Sequence, residues 1–440
     1  MQTINDRTDV IVIGGGVAGL AAAALLARKG KSVRLLEQSA ALGGRARTKE
    51  QKGFYLNIGA HALYRAGHGI KVLRELGIEP KGKPAATANA YAVRKGVKYT
   101  LPGGLVSLLT TSLFGISAKV ETARFLGSIQ KIDPRPLMNV SLGSWLEKEV
   151  SHEEVRELLQ AVCQLSTYTN APDLMSAGVA IDQVQKALGK GVLYLDEGWQ
   201  TLVDGLSEVA QSAGVLIETN AKVEAVERNV EGAVKAVRLA DGQLYQSDIV
   251  VIASSPQLAA TLVENSENTS IAKWAAESIP VKAACLDIAL SRLPVAKATF
   301  ALGIDKPLYL SVHSAAAHLA PEDGALIHLL KYLPVNQDES DDNTEHELEQ
   351  MLELIQPGWR EVLVHRRFLP SVVVAHAVTT ANNNGTQGRP EPEVKDIQGL
   401  FVVGDWVGKE GLLVDASFAS ARQAAEIIAA RQMVGQAVAV

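Results

Sequence analysis

The chain has 440 residues, of which 47% are hydrophobic, and its formal net charge is −5 with a pI near 6.0. At this length we expect two domains, and the absence of a basic stripe argues against nucleic acid as a partner. The two cysteines, Cys163 and Cys285, lie far apart and outside any C-x-x-C motif, which argues against a disulfide framework, a metal site or a dithiol redox pair and favours a cytoplasmic protein.

The polar N-terminus, residues 1–9, has no apolar segment typical of a secretory signal, and a nucleotide-binding motif follows it. Residues 10–13 are uncharged and β-branched, which predicts a buried strand ending in a glycine-rich turn. The G-x-G-x-x-G spacing provides a tight turn, a close approach of backbone to pyrophosphate, and contact between helix and strand. The helix predicted over residues 20–29 then directs its N-terminus at phosphate. The predicted binding residues here are Gly14, Gly16, Val17, Ala18 and Gly19.

A second predicted strand, residues 32–36, ends in Glu37. This carboxylate lies about 20 residues beyond the glycines, where the fingerprint places the acid that accepts hydrogen bonds from ribose hydroxyls. Strand, glycines, helix, second strand and acid occur in the order of one βαβ unit. The sequence therefore predicts a dinucleotide site rather than a glycine-rich turn without a ligand.

The residues that follow, Leu42-Gly43-Gly44-Arg45-Ala46, distinguish between cofactors. They resemble the extended FAD-binding signature of the amine oxidase and phytoene desaturase superfamily, to which protoporphyrinogen oxidase-like proteins belong. The resemblance implies FAD as the cofactor, with Gly44 and Arg45 along its diphosphate. Because neither cysteine lies in the C-terminal flavin motif, where this family makes its thioether links, we expect FAD to be bound non-covalently.

Residues 53–61 predict a short strand that ends in small residues. The resemblance places Gly59 and Ala60 beside the isoalloxazine and His61 on its reactive side, as a candidate catalytic residue. The alternative is that His61 only forms a hydrogen bond with a loop carbonyl.

The next part of the chain predicts a different domain. Residues 88–93 and 97–101 predict a hairpin, and Ser144-x-x-Glu147 is a capping-box pattern at the start of a helix. The uncharged residues 105–116 predict a buried helix of this domain or, alternatively, a contact with a bilayer or an oily ligand. Glycine, proline and hydroxyl residues interrupt residues 99–118, so we predict no membrane span there.

Two later segments resemble the same family. The resemblance places the backbone of Val223 at the adenine. Near the C-terminus, residues 399–405 predict a buried strand that stops at Gly404-Asp405, and a helix is predicted over residues 412–430. The resemblance implies that Asp405 holds a ribityl hydroxyl and that the backbone at Leu412 and Leu413 directs the helix N-terminus at the flavin.

These matches predict an α/β protein with a discontinuous Rossmann-type FAD-binding domain and a second domain of mixed sheet and helices. We expect the FAD domain at residues 1–84, 191–262 and 390–440, and the substrate domain at residues 85–190 and 263–389. No second dinucleotide fingerprint is present, so electrons are expected to enter from a small organic substrate and leave to oxygen or a quinone. The oligomeric state is left open.

Departures from the family pattern bear on the substrate. Asp405 replaces the glutamate usual in amine oxidases, and residues 284–290 have no central lysine. We therefore predict phytoene desaturase-like dehydrogenation of a largely apolar substrate, by hydride transfer to flavin N5, in a cytoplasmic protein with peripheral membrane contact as an option. The alternatives are amine oxidation, with a cage from Tyr168, Tyr194 and Trp406, and a flavin-binding protein without turnover.

Overall fold

The computed structural model describes residues 7–85, 89–337 and 340–437. Residues 1–6 of the polar N-terminus and Ala88, the first residue of a predicted strand, lie outside these ranges. The helices are α1 (Val17–Arg28), α2 (His68–Glu75), α3 (Leu105–Thr110), α4 (Ile116–Ser128), α5 (Leu142–Glu149), α6 (Glu153–Thr167), α7 (Ala177–Lys190), α8 (Gln200–Ser212), α9 (Pro256–Leu262), α10 (Ser270–Glu277), α11 (Thr344–Ile355) and α12 (Val414–Ala437).

The strands follow the same order along the chain. They are β1 (Val10–Ile13), β2 (Val33–Leu36), β3 (Thr48–Gln51), β4 (Phe54–Asn57), β5 (Leu63–Tyr64), β6 (Gly82–Pro84), β7 (Tyr91–Arg94), β8 (Val97–Thr100), β9 (Val192–Leu195), β10 (Leu216–Glu218), β11 (Val223–Arg228), β12 (Val234–Leu239), β13 (Leu244–Gln246), β14 (Val250–Ile252), β15 (Val281–Leu290), β16 (Phe300–Gly303), β17 (Leu308–Val312), β18 (Ala325–Tyr332), β19 (Leu363–Ala375) and β20 (Leu400–Val402).

A five-stranded parallel sheet has the order β10-β2-β1-β14-β20. Val10 and Val12 belong to the core shared with α1, α8 and α12, whereas Ile11 and Ile13 pack toward the antiparallel strands β11 to β13. Because side chains alternate along a strand, β1 is buried on both faces, as its uncharged sequence predicts. The strands of this sheet come from three separated parts of the chain.

A seven-stranded sheet has the order β19-β15-β18-β17-β16-β7-β8, and all of its pairs are antiparallel except β16 with β7. Leu286 and Ile288 of β15 pack on one face against α11, while Cys285 faces the core shared with the helices from α3 to α7. The predicted fold class is confirmed: an α/β protein with a discontinuous Rossmann-type sheet and a second region of mixed sheet and helices.

Two expectations about helices were wrong. Ser144 lies inside α5, and the cap is Ser141, whose hydroxyl accepts a hydrogen bond from the Ser144 N–H at 3.3 Å. Residues 105–116 do not form one buried helix, because α3 ends at Thr110 and α4 begins at Ile116. Only one side of this segment is turned inward, which leaves several of its apolar side chains exposed. Among the helices in the described part of the chain, none is long and apolar enough to cross a membrane.

Candidate active site

A cavity of about 550 Å³ lies between the parallel sheet and the seven-stranded sheet. Both sheets contribute to its wall, together with the segments that follow β1, β4 and β20. The predicted site residues that line it are Gly14, Gly16, Val17, Ala18, Glu37, Gly44, Arg45, Gly59, Ala60, His61, Val223, Gly404, Asp405 and Leu413. Gly19 and Leu412 do not line it. The structure therefore brings together in one cavity residues from the three separated segments that carried the sequence prediction.

The glycine loop has the geometry that its spacing predicts. Gly14 has a φ of +108°, and a Cβ there would lie 2.6 Å from the carbonyl oxygen of Ala253. A Cβ on Gly19 would lie 1.9 Å from the carbonyl oxygen of Gly14, so the absence of a side chain at Gly19 permits the close contact between helix and strand. Gly16 is the N-cap of α1, and a Cβ on it would meet no atom within 4 Å. The open side of the loop therefore faces the cavity, next to the N-terminus of α1.

Glu37 is 9% exposed and extends from the end of β2 into the cavity wall. One of its carboxylate oxygens accepts a hydrogen bond from the Gly15 N–H at 2.7 Å, and the other accepts one from the Ser39 N–H at 2.8 Å. Each carboxylate oxygen can accept about two hydrogen bonds, so capacity remains for hydroxyl donors. These two bonds fix the orientation of the carboxylate.

Arg45 and His376 form a cluster around the buried Asp405 beside the glycine loop. An Arg45 Nη1 donates to an Asp405 oxygen at 2.7 Å and to the carbonyl of Val374 at 2.8 Å. The Nδ1 of His376 lies 3.0 Å from the other Asp405 oxygen. Burial raises the pKa of the Asp405 carboxyl, but Arg45 and His376 together hold that pKa well below its ordinary value. Asp405 is therefore an anion that two neighbouring residues position.

His61 lies in the cavity wall after β4. Its Nδ1 lies 3.0 Å from the carbonyl oxygen of Gly59, which can only accept, so Nδ1 carries the proton in this hydrogen bond. The His61 ring also contacts Trp199, with ring centroids 4.8 Å apart. Burial lowers the pKa of His61 to about 4, so the imidazole is neutral near pH 7. His61 thus bonds a loop carbonyl and also lines the cavity, and its place on the reactive side of a flavin stays a prediction.

The seven-stranded sheet contributes an uncharged part of the wall. Its lining residues are Cys285 of β15, Leu330 of β18 and residues 372–374 of β19. A Cβ on Gly59, whose φ is +77°, would lie 2.9 Å from the Cys285 Sγ, so glycine permits the segment before His61 to lie directly on this sheet.

Tyr168 completes this end of the cavity. It follows α6 with a φ of +61°, an uncommon backbone conformation for a non-glycine residue. Its hydroxyl donates to the carbonyl oxygen of Ala60 at 3.2 Å. Tyr168 therefore fixes the segment that carries His61.

The predicted aromatic cage is not assembled. Tyr168 lines the cavity, but Tyr194 stacks on His313 with ring centroids 3.7 Å apart, and Trp406 donates through Nε1 to the carbonyl of Ser254. Both side chains are held within packed regions. The sequence could not place these three residues around one space, because composition and sequence position do not determine which side of a strand or loop an aromatic residue faces.

Sequence reasoning missed His376 and Trp199, which both line the cavity. His376 follows directly after β19 of the seven-stranded sheet, whereas Asp405 follows β20 of the parallel sheet, so a contact between the two sheets brings them together. No local pattern marks it. Trp199 directly precedes α8, and nothing in its local sequence points to the cavity.

Several features of the cavity suit a flavin dinucleotide. An open glycine loop stands at a helix N-terminus, an oriented carboxylate ends β2, and an arginine lies next to the loop. An uncharged wall continues beyond them. Within residues 7–85, 89–337 and 340–437, no group of three or more His, Cys, Asp or Glu side chains could hold a metal ion.

Comparison with known proteins gives three kinds of match. A family model described as "Flavin containing amine oxidoreductase" matches residues 17–429. The 4,4'-diaponeurosporene oxygenase of Staphylococcus aureus strain Mu50 is 23% identical over 278 residues, which are 55% of this chain and 54% of that protein. Protoporphyrinogen oxidase 2, chloroplastic/mitochondrial, of Arabidopsis thaliana is 33% identical over 114 residues, which are 26% of this chain and 22% of that protein. The matches thus span about half of the first relative and less of the second.

Solved structures share the fold over nearly the whole chain. An oxidoreductase from Methanosarcina mazei superposes with a TM-score of 0.73 at 20% identity, covering 96% of this chain and 99% of that one. Cyclohexylamine oxidase from Brevibacterium oxydans superposes with a TM-score of 0.67 at 18% identity, covering 97% and 99%. At these identities the likeness is one of fold.

Proposed function

Since this chain belongs to the flavin-containing amine oxidoreductase family and is an FAD-dependent oxidoreductase, we propose that it dehydrogenates a largely apolar small molecule at a C–C bond. The proposed reaction resembles that of phytoene desaturases. One relative is named for 4,4'-diaponeurosporene and another for protoporphyrinogen, which supports a reaction other than amine oxidation.

The uncharged wall from the seven-stranded sheet carries the proposal. Cys285, Leu330 and residues 372–374 present a thiol and aliphatic groups to the cavity. Cys285 is buried, and burial raises the pKa of its thiol well above the ordinary value, so this position holds no thiolate. A wall of this kind favours an apolar substrate, because a charged group would lose its hydration there without gaining a partner.

The chain's own residues would position the reactants. We assign the dinucleotide to the glycine loop, Glu37, Gly44, Arg45, Val223 and Asp405, and the substrate side to Gly59, Ala60 and His61. When bound, FAD would accept a hydride from one carbon of the substrate, and the hydrogen on the neighbouring carbon would leave as a proton to solvent. His61 is neutral and is held through Nδ1, so it contributes shape and a hydrogen-bond acceptor rather than a positive charge. The uncharged wall excludes water from the substrate.

We assign FAD binding to residues 1–84, 191–262 and 390–440, and substrate binding to residues 85–190 and 263–389. Oxygen or a quinone would take the electrons after each turnover. An apolar substrate of this kind would reside in lipid, so peripheral contact with a membrane is part of the proposal.

Oxidation of a C–N bond is the second candidate function. Tyr168 and Trp199 both line the cavity, and aromatic faces near a flavin suit an amine. A solved structure with the same fold is a cyclohexylamine oxidase. The uncharged wall serves a neutral amine as well as a hydrocarbon, so substrate tests must separate the two.

Anaerobic stopped-flow reduction of the purified holoprotein tests the proposal. Matched pairs of substrates would differ only in whether the reacting bond is C–C or C–N. We expect saturable bleaching of the flavin by the polyene or porphyrinogen member of a pair. Fast saturable bleaching by a primary or secondary amine, with imine product and with peroxide on admission of air, would establish the second candidate instead.

A further inference from the structure

The outer face of α3 and α4 concentrates exposed apolar side chains. Leu105 and Leu109 lie one helical turn apart on α3, and Ile116 and Val120 have the same spacing on α4. The exposed fractions are 70% for Leu105, 75% for Val106, 64% for Leu109, 85% for Ile116 and 65% for Val120. We call these five residues the α3–α4 face.

The two helices form one surface rather than two separate ones. The Lys119 Nζ donates to the carbonyl oxygen of Leu109 at 2.8 Å, which ties the first turns of α4 to the end of α3. Single exposed apolar residues are ordinary on protein surfaces, but a contiguous group of large ones marks an interaction site. Contact between these apolar side chains and water is unfavourable, so covering the face with another apolar surface would stabilise the protein.

The charges around this face have one predominant sign. Residues 97–131 contain four basic side chains and one acidic side chain, in a chain whose net charge is −5. Arg124 continues the stripe of Ile116 and Val120 at the same spacing, and Lys131 follows α4; both are exposed. The one acid, Glu121, accepts hydrogen bonds from the Ser151 and His152 N–H groups, which hold it against α6. The segment therefore has a local positive charge.

The inner face of the same segment reaches the core that walls the cavity. Leu108, Leu113 and Phe114 are buried in a hydrophobic core that also contains Cys285. Tyr168, which lines the cavity, packs against this core as well. One side of the segment thus packs into the core behind the cavity wall, and the other side faces outward.

We infer that the α3–α4 face docks on an anionic lipid bilayer. The apolar side chains would enter the boundary between headgroups and acyl chains, and Arg124 and Lys131 would contact the anionic headgroups. The inference rests on the proposed function in one respect: docking would give the site access to an apolar substrate dissolved in lipid. The binding itself requires no turnover.

Co-sedimentation of the holoprotein with vesicles tests the inference. The probes are vesicles of phosphatidylcholine alone and vesicles with 30% phosphatidylglycerol, both without substrate. We expect stronger binding to the anionic vesicles and weakening by salt. The triple variant Leu105→Ser, Leu109→Ser, Ile116→Ser should lose binding. The double variant Arg124→Glu, Lys131→Glu should bind at least about thirtyfold more weakly, because each basic residue contributes about 1 kcal/mol near such a surface and the two glutamates add repulsion.

A matched control uses three exposed apolar residues on the opposite domain: Leu216→Ser, Val230→Ser and Leu244→Ser. This variant should bind vesicles like the unaltered protein, and all variants should keep the flavin spectrum. Equal binding by the α3–α4 triple variant would overturn the inference. So would a change from dimer to monomer in that variant, measured by sedimentation without lipid, because a second copy would then cover the face. Vesicle binding without any reaction of apolar substrates would leave the docking intact and contradict only the proposed function.

Discussion

At the scale of single residues, Glu37 offers the most direct test of the cofactor site. Glu37→Ala removes a carboxylate that two backbone N–H groups orient toward the cavity. We expect FAD affinity to fall by about 1.5 to 3 kcal/mol, the value of a hydrogen bond to a charged group. Titration of apoprotein with FAD, followed by flavin fluorescence, measures this loss.

The exposed Glu50→Ala on β3 serves as the control for Glu37, and Glu37→Gln separates charge from hydrogen bonding. The glutamine variant keeps one acceptor and should show an intermediate affinity. An unchanged affinity in Glu37→Ala would remove this residue from the site.

His61 is expected to shape the substrate side without being indispensable. His61→Ala should slow flavin reduction by up to about a hundredfold, because substrate positioning is lost, while FAD stays bound. The low pKa of His61, about 4, also predicts that reduction shows no titration of this residue between pH 6 and 8. Stopped-flow rates at several pH values measure both effects, with the exposed His346→Ala as control. Loss of FAD from His61→Ala would show that the residue is structural.

At the scale of elements, Asp415 links the first turn of α12 to the start of α2. It is 1% exposed, and its carboxylate accepts a hydrogen bond from the Gly69 N–H at 2.7 Å. Burial raises the pKa of Asp415 to about 6, against an ordinary value of about 3.9. The folded protein therefore binds more protons than the unfolded chain between these values, and this carboxyl makes stability fall as pH rises through that window.

Asp415→Asn should remove this decline. As the pH rises from 4 to 7, we expect the free energy of unfolding of the variant to rise by roughly 2 to 3 kcal/mol relative to that of the unaltered protein. Urea unfolding at a series of pH values measures the difference, and the exposed Asp323→Asn should show none. A pH-independent difference would mean that the pKa of Asp415 is the same in the folded and unfolded states.

The sequence predicted those features of the fold that depend on residues close together along the chain. The strand and glycines around Gly14 and the strand end at Asp405 depend on neighbours within a few residues, so local patterns located them. His376 reaches Asp405 only because the end of β19 in the seven-stranded sheet meets the end of β20 in the parallel sheet, and no local pattern contains that contact. For residues 105–116 the sequence predicted a buried helix or, alternatively, a contact with a bilayer or an oily ligand. Apolarity alone could not decide between them, because it does not say which face of a short helix meets a partner.

At the scale of the whole molecule, FAD is expected to be held without a covalent bond. Both cysteines are buried, and burial raises the pKa of the Cys163 thiol to about 12 and that of Cys285 well above its ordinary value. Neither is therefore a thiolate that could attack the cofactor. Acid precipitation of the yellow holoprotein should release all of the colour to the supernatant. Colour that stays with the pellet, and is lost in Cys285→Ala, would contradict the prediction.

The order of strands in the parallel sheet also has a consequence for synthesis on the ribosome. Strand β1 pairs with β14, some 240 residues later, and β14 pairs with β20 near residue 400. The sheet therefore cannot close until almost the entire chain has emerged, because loops of this length must be ordered before their strands pair. Until β20 arrives, β14 presents an open edge to other chains. Translation that stops before residue 400 would thus yield a chain whose β14 edge stays open to other chains.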